Sequence, residues 1–216
     1  MTFFKQTTAS FDVDAQNTFT SLCPAELAVP GGDTIAAALN AQASLARIRV
    51  GSKDAHAPNA AWVASEDKPM FSSVGLPDSD IRWNAHAVVG SYGFELLEGL
   101  PHPRDYDFFV WKGMEPDMHP YGACYHTLDW RENRMSTGVI EYLRAVGITT
   151  VIVGGLATDY CVRNTALQLR DAGFEVVLNL AASRGIADAT VAEAIAEMKS
   201  VGIVVADDVT TSGLFN

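Results

Sequence analysis

The sequence has few cysteines. Only Cys23, Cys124 and Cys161 occur among 216 residues, and no two of them form a CxxC pair. An odd number without paired spacing argues against a disulfide framework and favours a reducing compartment. The opening MTFFKQTTASFDVD has no long apolar stretch and carries acidic residues early, so we expect no signal peptide. We therefore expect a cytoplasmic protein.

Positive charge is also scarce. Lys and Arg total 15 against 26 Asp and Glu, which gives a formal net charge of -11. Proteins that bind nucleic acid or anionic membranes neutralise phosphates with clustered Lys and Arg, and no such cluster is present. No window approaches the ~18 apolar residues that a transmembrane helix needs. We expect neither nucleic acid nor a membrane as a partner.

Apolar, β-branched segments alternate with helical patterns along most of the chain. The predicted strands are 9–15, 48–54, 105–112, 149–155, 174–181 and 203–208. The predicted helices are 33–47, 136–147, 161–173 and 188–202, with Asp33 and Ser136 as caps of the first two. This order predicts a three-layer α/β/α domain with a mostly parallel six-stranded sheet. The chain length suits one such domain over 1–216.

The segment 55–104 departs from that alternation. It is rich in loops and holds five prolines. Long irregular segments inside compact domains are usually functional. We expect this insertion to form one wall of a binding site.

Four polar residues follow predicted strands: Asp14, Asp54, Lys112 and Cys161. In open α/β sheets, ligands bind beyond the carboxyl ends of the strands. Any one of these residues alone is more often a solvated turn residue, but four at one edge predict a site.

The position of Cys161 separates two interpretations. A lone cysteine in an apolar helix is usually a small core residue. This one lies at a strand-to-helix bend, where backbone N–H groups and the helix dipole would favour a thiolate. A nearby Asp to take its proton and a Lys to hold the charges would complete an activated nucleophile.

A second group suits a metal ion. Asp54 and His56 alternate in an extended segment and therefore point the same way, and His86 arrives from the long loop. Two histidines and one carboxylate suit Zn²⁺, Fe²⁺ or Mn²⁺. Spacing alone makes this a weak signal. His102 and His126 have the character of loop or surface residues.

Five blocks of sequence then match a family in order. They are DAQNTF (14–19) with LAVPGGD (27–33), DAH (54–56), WNAHAVVGS (83–91), KGMEPDMHPYGA (112–123) and GLATDYCVRNTA (155–166). Over nearly its whole length the chain resembles the nicotinamidase/pyrazinamidase branch of the isochorismatase-like cysteine hydrolases. The last block is the most specific.

The resemblance implies the fold of these hydrolases and a role for each matching residue. Asp14, Lys112 and Cys161 correspond to the catalytic triad. Asp54, His56 and His86 correspond to ligands of one divalent metal, with zinc as the first expectation and waters in the other positions. The oxyanion hole corresponds to the backbone N–H groups of Ala157 and Cys161. The residues expected to contact substrate are Phe19, Trp83, Tyr121, Leu156 and Ala157.

The implied reaction is deamidation of nicotinamide, and of pyrazinamide, through a thioester. The resemblance also implies a non-proline cis peptide at Leu156–Ala157. An amidase acting on a ureido or N-carbamoyl compound is the nearer alternative, although its relatives generally lack the metal set. A non-enzymatic ligand-binding or redox-sensing protein is the distant one. The sequence leaves open whether the chain forms a homo-oligomer.

Two departures from the family pattern affect the site. The family often follows D-x-H with a proline and a second histidine, where this chain has Ala57 and Ala60. Any fourth protein ligand must therefore come from elsewhere, and Glu66 is a candidate because some relatives use a nearby Glu. The aspartate usual before the pocket tyrosine is replaced by His119.

Overall fold

The structure is a computed structural model that describes residues 2–215. Its strands are β1 Thr8–Val13, β2 Ile48–Asp54, β3 Ser73–Leu76, β4 Ser79–Ile81, β5 Phe108–Lys112, β6 Thr150–Leu156, β7 Glu175–Arg184 and β8 Val204–Ala206. Six of them form a parallel sheet in the order β5-β2-β1-β6-β7-β8. The central strands β1 and β6 are buried at every position, and β6 is accordingly a nearly continuous apolar run, whereas β1 also buries Thr8, Ser10 and Asp12.

Helices cover both faces of this sheet. They are α1 Ala36–Ala43, α2 Val139–Ala145, α3 Arg163–Asp171 and α4 Asp188–Ser200. Alternate strand residues such as Val151 and Val153 pack in one cluster with the apolar side chains of α2, α3 and α4. Leu39 of α1 packs in a separate cluster with Leu156 and Ala182. The three-layer α/β/α prediction is therefore confirmed.

Both predicted helix caps are wrong. Asp33 lies in a 3₁₀ turn, and α1 begins after Ile35 with no side-chain cap. The Ser136 hydroxyl accepts a hydrogen bond from the Gly138 N–H, which lies before α2. The chain enters α2 through Gly138, which has φ 89° and is the N-cap residue. α2 therefore begins at Val139, and the Ser136 hydroxyl makes no hydrogen bond to the N–H groups of its first turn.

The segment 55–104 is mostly irregular, as predicted, but it contains one hairpin that the sequence interpretation missed. Strands β3 and β4 pair antiparallel around Pro77 and Asp78, which are common turn residues and were the available signal. Bridges between His56 and Val88 and between residues 63 and 83 fold the segment back on itself beyond β2.

The order of the strands assembles the predicted site. Strands β5, β2, β1 and β6 are neighbours, and Lys112, Asp54, Asp14 and Cys161 lie at or just beyond their carboxyl ends. Asp54 and Lys112 are direct partners in the β2–β5 register. Within the described part of the chain, no helix has the length and apolarity needed to cross a bilayer.

Replacing Gly155 with alanine should destabilise the sheet at this edge. Gly155 has φ 135°, and a Cβ there would lie 1.9 Å from the Val13 carbonyl oxygen of β1. Because backbone cannot yield like a flexible side chain, we expect Gly155→Ala to lower the free energy of unfolding by more than about 3 kcal/mol in urea titrations.

Gly147→Ala is the matched control. Gly147 also has a positive φ, 74°, but a Cβ added to it would have no other heavy atom within 4 Å. Its cost should stay near the roughly 1–2 kcal/mol of a left-handed alanine. Equal losses in the two variants would contradict the close-approach explanation.

Candidate active site

A buried lysine lies at the centre of the site. Lys112 Nζ is 3.0 Å from Asp14 Oδ2, forms a close ion pair with Asp54 Oδ1, and lies 3.6 Å from Cys161 Sγ. The same ammonium donates to the Pro120 carbonyl at 3.2 Å. Lys112 is fully buried, yet the two carboxylates raise its pKa well above the usual range and overcome the effect of burial. Lys112 therefore carries its positive charge at neutral pH.

Asp14 is held by a serine that sequence reasoning did not identify. The Ser52 hydroxyl donates to Asp14 Oδ1 at 2.6 Å and accepts from the Asp14 N–H at 3.3 Å. Burial raises the pKa of Asp14 to about 6, with Asp54 adding to the increase and Lys112 and Ser52 opposing it. Asp14 is thus ionised at neutral pH and can accept a proton.

Cys161 lies in a π-helical turn, Thr158–Val162, rather than at the start of α3. Burial raises the pKa of its thiol well above the usual range, and the carboxylates of Asp14 and Asp54 add to the increase, although Lys112 opposes it. Because this turn continues directly into α3, Cys161 lies near the N-terminus of a helical segment, as predicted. Burial opposes the thiolate that this position would favour, so the thiol needs a base to take its proton.

The turn that carries Cys161 is anchored by Asp159. The Asp159 carboxylate accepts hydrogen bonds from the backbone N–H of Ile186 and Ala187 and from the Thr190 hydroxyl at 2.5 Å. These bonds tie the turn to the residues that lead into α4, a contact that the sequence pattern did not reveal. The cis peptide at Leu156–Ala157 is present immediately before the turn.

The metal-ligand candidates meet around Asp54. His56 Nε2 is 3.5 Å from Asp54 Oδ1, and His86 Nε2 is 3.9 Å from Asp54 Oδ2. The opposite nitrogens, His56 Nδ1 and His86 Nδ1, lie 2.9 Å from the Gly113 carbonyl and 2.7 Å from the Asn84 carbonyl. Donation from Nδ1 leaves each Nε2 lone pair aimed at the space beside Asp54. Burial lowers the pKa of His86 to about 3, so the ring is neutral.

Two further residues support this group. Gln16 accepts from the Asp54 N–H at 2.8 Å and donates to the Asp54 carbonyl at 2.9 Å. Gly113 has φ 70°, and a Cβ there would lie 2.5 Å from His56 Cε1. Both residues stand in motif blocks, but only the structure shows that they contact Asp54 and His56, the candidate ligands.

The additional side chain near the candidate metal ligands is His119 and not Glu66. Glu66 is exposed on the long loop and does not join the group. His119 is buried, and its ring lies with those of His56 and His86 so that one nitrogen of each is within 4.8 Å of the others.

A narrow aromatic cavity adjoins Cys161 and the histidines. Its lining residues are Phe19, Leu27, Asp54, Trp83, His86, His119, Tyr121, Ala157, Tyr160, Cys161 and Ile186. Leu156, expected in the pocket, instead packs its side chain in the α1 cluster. Sequence reasoning missed Leu27, Tyr160 and Ile186. The aromatic lining suits a planar ring.

Comparison with known proteins agrees with this geometry. Residues 8–208 match the isochorismatase domain, so the chain belongs to the isochorismatase family. A nicotinamidase of Acinetobacter baylyi is 32% identical over 177 residues, which cover 81% of this chain and 79% of that protein. The relatives place the chain in the nicotinamidase/pyrazinamidase branch of the family.

Two solved structures extend the likeness. The L. infantum PnC1 structure in complex with nicotinate has a TM-score of 0.78 at 29% identity and covers 95% of each chain. The Pyrococcus horikoshii pyrazinamidase in complex with zinc has a TM-score of 0.73 at 29% identity, covering 93% of this chain and 98% of that one.

Replacing Lys112 should lower the free energy of unfolding more than replacing another buried lysine does. Lys112→Met leaves the buried carboxylates of Asp14 and Asp54 without their cation, so we expect a loss of about 3–5 kcal/mol in metal-free protein at pH 7.5. The loss should shrink near pH 5, because protonated carboxyls no longer need a cation.

Lys53→Met provides the control. Lys53 is also buried, but its partner Glu95 is 60% exposed and can be hydrated when the lysine is lost. Urea titrations that give the two variants the same loss, or no dependence on pH for Lys112→Met, would contradict the role given to the Lys112 ammonium.

Proposed function

We propose that this chain is a metal-containing cysteine amidohydrolase that converts nicotinamide to nicotinate and ammonia, and acts on pyrazinamide in the same way. One observation carries the proposal: a buried Asp14–Lys112–Cys161 cluster opens into a small aromatic cavity that also contains a histidine–carboxylate group. Nicotinamidase relatives and the nicotinate complex of a structural neighbour support the choice of substrate.

The first chemical step forms a bond between Cys161 and the substrate. Cys161 Sγ attacks the carboxamide carbon while its proton passes to Asp14, and the carbonyl electron pair moves onto oxygen. Because burial disfavours a free thiolate, the proton leaves as the bond forms and negative charge moves out to the carbonyl oxygen. We assign the backbone N–H groups of Ala157 and Cys161 as donors to this oxyanion.

The intermediate then collapses to a thioester. The C–N bond breaks as nitrogen takes the proton from Asp14, and ammonia leaves. Water next gives a proton to Asp14 as its oxygen attacks the thioester carbon. The C–S bond breaks, Asp14 returns its proton to the Cys161 sulfur, and the acid is released. Throughout these steps Lys112 keeps the charge on Asp14 close to Sγ, so that one carboxylate serves both halves of the reaction.

The residues around Asp54 fit a divalent metal. His56 Nε2 is buried without a hydrogen-bond partner among residues 2–215, as expected for an imidazole that donates its lone pair to a cation. Asp54, His56 and His86 would hold the ion, and we propose zinc, which the Pyrococcus neighbour binds. When bound, the ion supplies a Lewis acid for the pyridine nitrogen. Phe19 and Trp83 would then contact the ring.

The cellular setting follows from the reaction and the composition. Deamidation returns nicotinamide to pyridine nucleotide synthesis as nicotinate. The scarcity of cysteine and of basic residues supports a cytoplasmic enzyme that acts on a small amide and needs no nucleic acid or membrane.

Removing the thiol should abolish turnover. We expect Cys161→Ala to lower kcat for ammonia release from nicotinamide by about 10⁴-fold or more, because the covalent path is lost. Nicotinate binding, measured by calorimetry, should stay within a few fold. The control is Cys23→Ala, whose thiol lies outside the cavity and whose activity should be normal. An active Cys161→Ala enzyme would contradict the assignment of Cys161 as the nucleophile.

The pH profile should report Asp14. As a base, Asp14 must be ionised, so kcat/KM should fall below its pKa of about 6. Ser52→Ala removes a hydrogen bond that favours the carboxylate, so the pKa and the acid limb should rise by about 1–2 units.

Ser183→Ala is the control for that shift. Ser183 is an equally buried hydroxyl that donates to Asn179 on β7 and does not touch Asp14. Its acid limb should match that of the wild type. A Ser52→Ala profile with an unshifted limb would show that Asp14 does not set it.

A further inference from the structure

His119 is a buried side chain without an ordinary role. Its exposure is 3%, and neither Nδ1 nor Nε2 has a hydrogen-bond partner within residues 2–215. Buried polar atoms in native proteins nearly always have a partner, and an unpartnered one needs a specific explanation, such as a missing ion. A histidine with two free nitrogens among aromatic rings is not explained by packing.

The position of the ring supplies the explanation. His119 stacks on His56 with centroids 5.0 Å apart and an interplanar angle of 20°, and it meets His86 edge-on at 5.5 Å. One nitrogen from each of the three rings lies within 4.8 Å of the others. Three buried imidazoles with nitrogens this close together can offer lone pairs to one cation.

The ring is also held in place from behind. Trp62 packs edge-on against His119 at 4.4 Å, and its indole N–H donates to the Met118 carbonyl at 3.1 Å. The backbone N–H of His119 donates to the Asp78 carbonyl at 2.6 Å, which ties this loop to the β3–β4 turn. The imidazole is therefore positioned before any ligand binds, as a metal ligand should be.

We propose that His119 is a protein ligand of the metal, completing a set of Asp54, His56, His86 and His119. The proposal rests on the metal site of the proposed function but not on its amidase activity. It assigns the missing ligand to the loop after β5, rather than to the segment that follows D-x-H, where Ala60 has no donor atom. Glu66 has no part in the set.

This assignment has a chemical consequence. Three imidazole nitrogens with one carboxylate favour zinc or a similar transition metal over Mg²⁺ and Ca²⁺, which prefer oxygen ligands. It also joins the metal to a loop that lines the substrate cavity, since Tyr121 lies two residues further on.

Zinc binding tests the assignment directly. Purified chain, stripped with a chelator, is titrated with Zn²⁺ alone against a competing chromophoric chelator. We expect one zinc per wild-type chain. His119→Ala should bind more than about 100-fold more weakly, because loss of even an outer partner of a ligand typically costs 10–100-fold.

Two control variants separate this role from general damage. Glu66→Gln and His126→Ala change the other sequence-based candidate and a half-buried histidine of the same connection, and both should bind zinc as the wild type does. X-ray absorption of zinc-loaded wild type should show three imidazole ligands, a result that does not require any variant to fold.

The outcomes decide separately between the two proposals. Wild-type affinity in His119→Ala, two imidazoles in the absorption spectrum, or no stoichiometric zinc in the wild type would each overturn the ligand assignment. His119→Ala that keeps its zinc and changes only KM for nicotinamide would make His119 a substrate contact instead. Zinc held by His119 in a protein that releases no ammonia would support the ligand assignment and overturn the amidase proposal.

Discussion

The structure of the site depends on one buried ion pair network, in which the Lys112 ammonium lies between Asp14 and Asp54. Two carboxylates so close together in a dry environment would repel each other and take up a proton. The cation prevents this for Asp54, whose pKa it holds well below its usual range, and limits the increase for Asp14. Asp54, the proposed metal ligand, is thereby kept ionised, and Asp14, the proposed base, can still be protonated.

Much of the fold could be predicted from the sequence, because parallel strands buried on both faces leave nearly continuous apolar runs. β2 has the predicted bounds of 48–54, and the carboxyl ends of four strands predicted where the polar residues would meet. The start of α4 was also predicted, at residue 188. The starts of α1 and α2 could not be predicted in the same way, because α1 follows a 3₁₀ turn and α2 begins after a left-handed glycine, Gly138.

For the site, the sequence motifs identified the residues, but the contacts between them could be seen only in the structure. The residues in the family blocks were identifiable, but the protonated state of Cys161 was not, because it depends on burial that only the complete fold creates. Ser52 and Gln16 act through hydrogen bonds across 38 residues of sequence. His119 was visible only as a departure from the pattern, since nothing in the spacing of residues 54, 56 and 119 implies that these side chains meet.

The loop after β5 has a consequence beyond any one of its residues. The loop carries the Gly113 carbonyl that accepts from His56, the Pro120 carbonyl that accepts from Lys112 at the end of β5, and Tyr121 in the cavity. An insertion or deletion here would disturb base, metal ligand and substrate contact together. The length of this loop is therefore far less free to vary than that of most surface connections, and homologous sequences should differ here by substitution rather than by length.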